Sequence, residues 1–167
     1  MKGGKDMGFF DKLADRKKEE ICTPVTGRIV DITEVSDPTF SEKILGDGMA
    51  VIPADGKFYA PCDGTLESLY PTGHAYSIKA ESGAELLVHI GIDTVKLKGQ
   101  FFTIHAVQGQ KVKKGDLLIE ADIDKIVEAG YDVTTPVIIM NTSDYKKIQK
   151  MNGDVTESQT IMILEKK

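Results

Sequence analysis

Ala75-Tyr76-Ser77-Ile78-Lys79-Ala80-Glu81-Ser82-Gly83-Ala84-Glu85-Leu86-Leu87-Val88-His89-Ile90-Gly91-Ile92 holds two short apolar runs divided by the turn-forming triplet Glu81-Ser82-Gly83. Neither run has the length of a helix, and a polar break ending in glycine predicts a hairpin. The same punctuation recurs outward from this point. Asp55-Gly56 separates residues 49–53 from residues 57–60, and Asp63-Gly64 opens a further run through Tyr70. From Thr23 onward, short Val- and Ile-rich stretches are cut by Gly, Asp and Pro at intervals too small for long helices. The reading is all-β, an antiparallel β-sandwich of the barrel-sandwich type with a few short helices. Helices are expected at residues 123–129, between the cap Asp122 and the stop Gly130, and at residues 143–151 after Asn141. A further echo relates Thr23-Pro24-Val25-Thr26-Gly27-Arg28-Ile29 to Ala60-Pro61-Cys62-Asp63-Gly64-Thr65-Leu66, as equivalent turns on two halves of a sandwich would.

With 167 residues, the chain fits one core, and residues 21–167 are read as a single domain. Hydrophobic residues make up 41% and charged residues 28%, which is enough apolar material for that core. Residues 1–20 read as a polar leader. In it Phe9, Phe10 and Leu13 share one side of a helix among Lys12, Arg16, Lys17 and Lys18. This is either a loosely packed tail or, through residues 7–18, a weak amphipathic membrane-surface contact. A net charge of -5 argues against nucleic acid, whose phosphates need a basic surface. No run approaches the ~20 apolar residues of a membrane-spanning helix and no secretory h-region follows the start, so the expected compartment is the cytoplasm. Cys22 and Cys62 lack CxxC or CxxH spacing and are read as reduced structural thiols.

Of the three histidines, His74 and His89 form the candidate site. With Glu81-Ser82 as a two-residue loop, His74 stands directly opposite His89; with Ser82-Gly83 it stands one diagonal step away. Both put the imidazoles on one face, whereas a three-residue loop would shift the parity and separate them. Thr72 is placed to fix the His74 tautomer, and Asp93 to flank the pair. Adjacent imidazoles resist double protonation, which leaves an unprotonated nitrogen able to accept a phosphoryl group. His105 has no such neighbour and is read as structural.

Gly73-His74-Ala75-Tyr76-Ser77-Ile78, Glu85-Leu86-Leu87-Val88-His89-Ile90-Gly91-Ile92-Asp93-Thr94-Val95, Gly109-Gln110-Lys111-Val112-Lys113-Lys114-Gly115-Asp116 and the upstream Phe40-Ser41-Glu42-Lys43-Ile44-Leu45-Gly46-Asp47-Gly48 resemble the glucose-type enzyme IIA of the bacterial phosphoenolpyruvate-dependent sugar phosphotransferase system. The resemblance runs from about Ile21 to the C-terminus. Met7-Gly8-Phe9-Phe10-Asp11-Lys12-Leu13 resembles the leader of free-standing members, with residues 1–6 as an extension. It implies a phosphocarrier that takes phosphate from the histidine-containing phosphocarrier protein and passes it to a cysteine of a sugar-specific IIB domain, while sugar choice lies in a membrane-embedded IIC partner. By motif position His89 is the implied phosphoryl acceptor, His74 the stabiliser of the phosphoryl group and Thr72 its orienter. Asp37 and Asp93 border the site, and Phe40, Ile44, Leu45, Tyr70 and Val95 match the docking rim. Pro38-Thr39 beside Asp37, and Leu87 before Val88, depart from some relatives.

Neither a metal nor a cofactor is expected, and no GxxxxGK[ST] segment points to direct use of ATP. Two rival readings use related sandwiches. A biotinyl or lipoyl carrier needs a lysine at a hairpin tip, where this chain has Asp55-Gly56 and Glu81-Ser82-Gly83. A zinc-dependent peptidase could use His74, His89 and a carboxylate, but the HxH and HExxH spacings are missing.

Overall fold

The computed structural model describes residues 18–167. Among them the strands run in the order β1 (Lys18–Cys22), β2 (Gly27–Asp31), β3 (Asp47–Pro53), β4 (Lys57–Tyr59), β5 (Gly64–Leu69), β6 (Ala75–Ala80), β7 (Glu85–His89), β8 (Phe102–Ile104), β9 (Lys111–Val112), β10 (Leu117–Ala121), β11 (Thr135–Ile139), β12 (Tyr145–Lys150), β13 (Asp154–Val155) and β14 (Thr160–Lys166). Helices α1 (Pro38–Ser41) and α2 (Ile123–Glu128) are short. An eight-stranded sheet, ordered β13-β2-β3-β11-β7-β6-β5-β9, is joined by two three-stranded sheets, β1-β14-β12 and β4-β10-β8, and every pairing is antiparallel. The expected β-sandwich is what forms.

Alternation along the strands divides the large sheet into two faces. Met49 and Val51 of β3, Leu86 and Val88 of β7, and Val137 and Ile139 of β11 enter the main core. Their neighbours Ala50, Leu87 and Ile138 face the other way and form a second, smaller cluster with Ile32, Val35, Phe40 and Ile92. That cover has local causes. Asp31 closes a capping box on the 3-10 turn Ile32–Glu34. Asp37 accepts from the Thr39 N–H at 2.9 Å to start α1, with Pro38 in its first turn. Buried Phe40 is the apolar anchor of that helix.

The echo between the two proline-glycine segments corresponds to matching positions. Gly27 and Gly64 each begin a strand, opposite Pro53 and Ala80 respectively. A Cβ at either would stand about 2 Å from a partner-strand carbonyl oxygen (Ile52 O at 2.1 Å, Lys79 O at 2.2 Å). The segments also bond reciprocally: Cys22 N–H donates to Pro61 O, and Tyr59 N–H to Pro24 O. Cys22 and Cys62 are both free and buried.

Three expectations need correction. Residues 143–151 are not a helix but the end of the 3-10 turn Thr142–Asp144 followed by β12, because β14 offers an open edge and Tyr145 gains a buried partner in Glu19 at 2.8 Å. Residues 18–20, assigned to the leader, belong to β1, which covers the other edge of β14. Residues 1–17, with the apolar cluster and the membrane-surface contact, lie outside the described residues. Finally, the Glu81-Ser82-Gly83 loop has three residues: β6 and β7 pair as Lys79↔Glu85 through Ala75↔His89, with Gly83 at φ 115°.

Candidate active site

His89 ends β7 on the same face as Leu87, where the second cluster gives out and the imidazole is left half-buried. Its Nδ1 lies 2.7 Å from the Gly91 carbonyl oxygen. A carbonyl only accepts, so Nδ1 carries the proton, and Nε2 of the neutral ring keeps its lone pair. Gly91 has φ +78°, a left-handed conformation that a side chain would strain.

The three-residue loop places Ala75, not His74, opposite His89. By parity alone the rings would point to opposite faces, yet their centroids are 5.1 Å apart at an interplanar angle of 77°. The reason is that His74 precedes the first residue of β6 and belongs to the turn that follows Tyr70. There Gly73 N–H donates to Tyr70 O and Gly73 has φ +77°. That turn frees His74 from strand alternation while its carbonyl still accepts from Ile90 N–H at 2.7 Å. Thr72 Oγ1 lies 2.5 Å from His74 Nδ1, in the place expected for an orienting hydroxyl. Phe40 packs on His89 with centroids 5.2 Å apart, and Tyr70 meets His74 edge-on at 5.2 Å, so the imidazoles sit within a row of four rings.

Burial, and secondarily His89, hold His74 down at about 4, well below the ordinary imidazole value of 6.5. His89 is also lowered, chiefly by burial. The Gly91 hydrogen bond, Asp37 and Asp93 oppose this. Both rings are therefore neutral near pH 7. Asp37, His89 and Asp93 line a depression of about 250 Å³ whose apolar wall includes Leu45, Tyr70 and Val95. Val95 is 50% exposed, Tyr70 45% and Leu45 40%, and these three line the depression, whereas Ile44, 67% exposed, is not in its lining. Phe40, expected in the same rim, is only 4% exposed and forms the floor beneath His89, because α1 turns its ring inward.

His105 stands apart, with Nε2 2.8 Å from Glu120 Oε1 on the exposed pairing of β8 with β10. A larger cleft, of about 990 Å³ and lined by Asp55, Lys57, Glu120 and Asp122 among others, contains neither member of the histidine pair. Among the described residues no three His, Cys, Asp or Glu side chains gather as a metal-ligand set, and no helix is long and apolar enough to cross a membrane. The sequence reading missed the Gly91 carbonyl. Its signal was the glycine two residues after His89.

A family model described as phosphoenolpyruvate-dependent sugar phosphotransferase system, EIIA 1, matches residues 19–145. The chain is 45% identical over 157 residues to the glucose-specific EIIA component of Buchnera aphidicola, covering 94% of this chain and 98% of that protein. With the glucose-specific EIIA component of Haemophilus influenzae it shares 43% identity, covering 96% and 100%. It is also 51% identical over 132 residues to a beta-glucoside-specific EIIBCA component of Halalkalibacterium halodurans. That match covers 79% of this chain but only 21% of the larger protein. The glucose permease IIA from Mycoplasma capricolum superposes with a TM-score of 0.84 at 35% identity, covering 88% of this chain and 96% of that one. These matches support neither rival reading. With the sandwich, the paired imidazoles and these relatives in agreement, the chain belongs to the EIIA family of the phosphoenolpyruvate-dependent sugar phosphotransferase system, whose members are phosphoryl-transferring proteins.

Proposed function

We propose that His89 Nε2 accepts a phosphoryl group from the histidine-containing phosphocarrier protein and passes it to a cysteine thiolate of a IIB domain, in the cytoplasm. The observation that carries this reading is the Gly91 carbonyl on His89 Nδ1, which leaves Nε2 as the nucleophile in a ring kept neutral by its surroundings. On uptake the Nε2–P bond forms as the donor's N–P bond breaks. On discharge an S–P bond forms, and the Nε2 lone pair returns. His74 is the stabiliser: if the Thr72 hydroxyl donates to its Nδ1, its Nε2 carries a proton directed to a phosphoryl oxygen. Asp37 and Asp93 border the site. Ile44, Leu45, Tyr70 and Val95 form an apolar docking rim that excludes water from the labile phosphoramidate, over the floor built by Phe40. The EIIBCA relative is named for B, C and A components in one chain, which supports a IIB partner.

Phosphoryl transfer asks a protein chiefly for position and charge stabilisation, and strand ends packed on a second cluster supply position. The test is incubation with phosphoenolpyruvate, enzyme I and the phosphocarrier protein, followed by intact mass and site mapping. One phosphoryl group on His89, lost on adding a IIB domain, is the expected result. A different acceptor residue would overturn the proposal.

A further inference from the structure

We propose that Thr94 and Asp132 are positioning residues that clamp the two peptide groups flanking Gly91, hold its carbonyl on His89 Nδ1 and so keep Nε2 free. The inference rests on the reading of His89 as acceptor and extends it to residues outside the depression. The fully buried Thr94 donates its hydroxyl to Ile90 O at 2.5 Å, which fixes the peptide preceding Gly91. Ile92 N–H donates to Asp132 O at 2.8 Å. That N–H and the Gly91 carbonyl belong to one planar peptide group, so anchoring the first aims the second. The result is a continuous chain: His89 Nδ1–H to Gly91 O, then Ile92 N–H to Asp132 O, in which each bond polarises the next.

Gly91 is enclosed by these two clamps. A Cβ at that position would lie 2.6 Å from Thr94 Cγ2 and 2.8 Å from Asp132 O. The Asp132 carbonyl is itself held, because the Asp132 side chain accepts from Thr134 N–H at 2.8 Å and Thr135 donates to Val133 O at 3.0 Å. Thr135 begins β11, which pairs with β7 through Val137↔Val88. The clamp and the acceptor histidine are thus referred to neighbouring strands, and a shift of one relative to the other changes the His89 tautomer.

The experiment compares Thr94→Val, which keeps the shape and removes the hydroxyl, with Thr94→Ser, which restores it, and with Asp132→Ala on the exposed loop. Each is read by the 15N signature of the His89 tautomer in the unphosphorylated protein and by the rate of phosphoryl uptake. Thr94→Val is expected to mix the tautomers and slow uptake roughly three- to tenfold, the worth of one hydrogen bond. Thr94→Ser should recover most of the loss, and Asp132→Ala should show a milder form of the same pair of changes. An unchanged tautomer in a folded Thr94→Val protein overturns the proposal, whether or not uptake slows. Should Thr94→Val not fold, an unchanged tautomer in Asp132→Ala overturns it equally. Site mapping on the wild-type protein separates the two failures. Phosphate on a residue other than His89 defeats the functional reading, while the tautomer measurement still decides the clamp.

Discussion

The two faces of the eight-stranded sheet use alternate residues of the same strands for different ends. On one face Met49, Leu86, Val88, Val137 and Ile139 are at most 1% exposed and join a core that spans the molecule. On the other, Ala50, Leu87 and Ile138 are covered by the smaller set Ile32, Val35, Phe40 and Ile92, with part-buried Val30 against them, and His89 is left part-buried in a depression that Asp37 and Asp93 also line. A rigid inner face allows the outer face to keep polar groups that contribute little to stability. Burial there keeps the imidazoles neutral, with His74 only 3% exposed and His89 part-exposed in the depression.

The most severe break is His89→Ala, which should abolish phosphoryl uptake while leaving the thermal transition close to wild type, because the ring lies outside the main core. Intact mass after phosphorylation checks it, and full labelling would move the acceptor elsewhere. Leu86→Ala, three residues away on the inner face, should do the reverse. It is expected to cost about 2–5 kcal/mol in urea unfolding, with uptake retained in the fraction that stays folded. His74→Gln should separate the half-reactions: uptake at His89 persists, and discharge to a IIB domain slows roughly 10²-fold, the typical loss of a positioned acid or electrostatic stabiliser. Equal losses in both steps would reduce His74 to a structural part of the site.

The same residue sets a pH limit. Folding holds His74 at about 4 against the ordinary 6.5. Between those values the unfolded chain binds a proton that the folded chain does not, so stability falls as pH drops below about 6.5 and the loss levels off below about 4. At pH 5 it amounts to about 2 kcal/mol. Urea midpoints at pH 7 and pH 5 should show that loss reduced in His74→Gln, and an identical acid limb in both proteins would rule out the assignment. The smallest effect is expected at His105→Ala. Its hydrogen-bonded contact with Glu120 is exposed, so stability should change by less than about 0.5 kcal/mol and the uptake rate should not change.

Turn formers and short apolar runs were enough to read an all-β sandwich, and the caps Asp122 and Gly130 were enough to place α2, because these signals act within a few residues. They were not enough for residues 145–150. There Tyr145 and Ile148 follow no strong local preference, and the open edge of β14 decided the strand. The family motifs selected His74, His89 and Thr72, but the hairpin geometry that joins the two rings was not legible in them. Ser82 donates to the buried Glu19 at 2.6 Å, while Asn141 donates to Gly83 O and accepts from Glu85 N–H. These partners come from strand β1 and from the cap of the 3-10 turn that follows β11, and they grip the loop in its three-residue form. Parity was then overruled by the turn at Gly73, and the pair met by a route other than the one the spacing suggested. The sequence by itself determined which residue types could do the chemistry, because that depends on functional groups and short-range turns. The tertiary structure alone decided the loop length, the inward turn of Phe40 and the hold on Gly91, because each depends on contacts with segments distant along the chain.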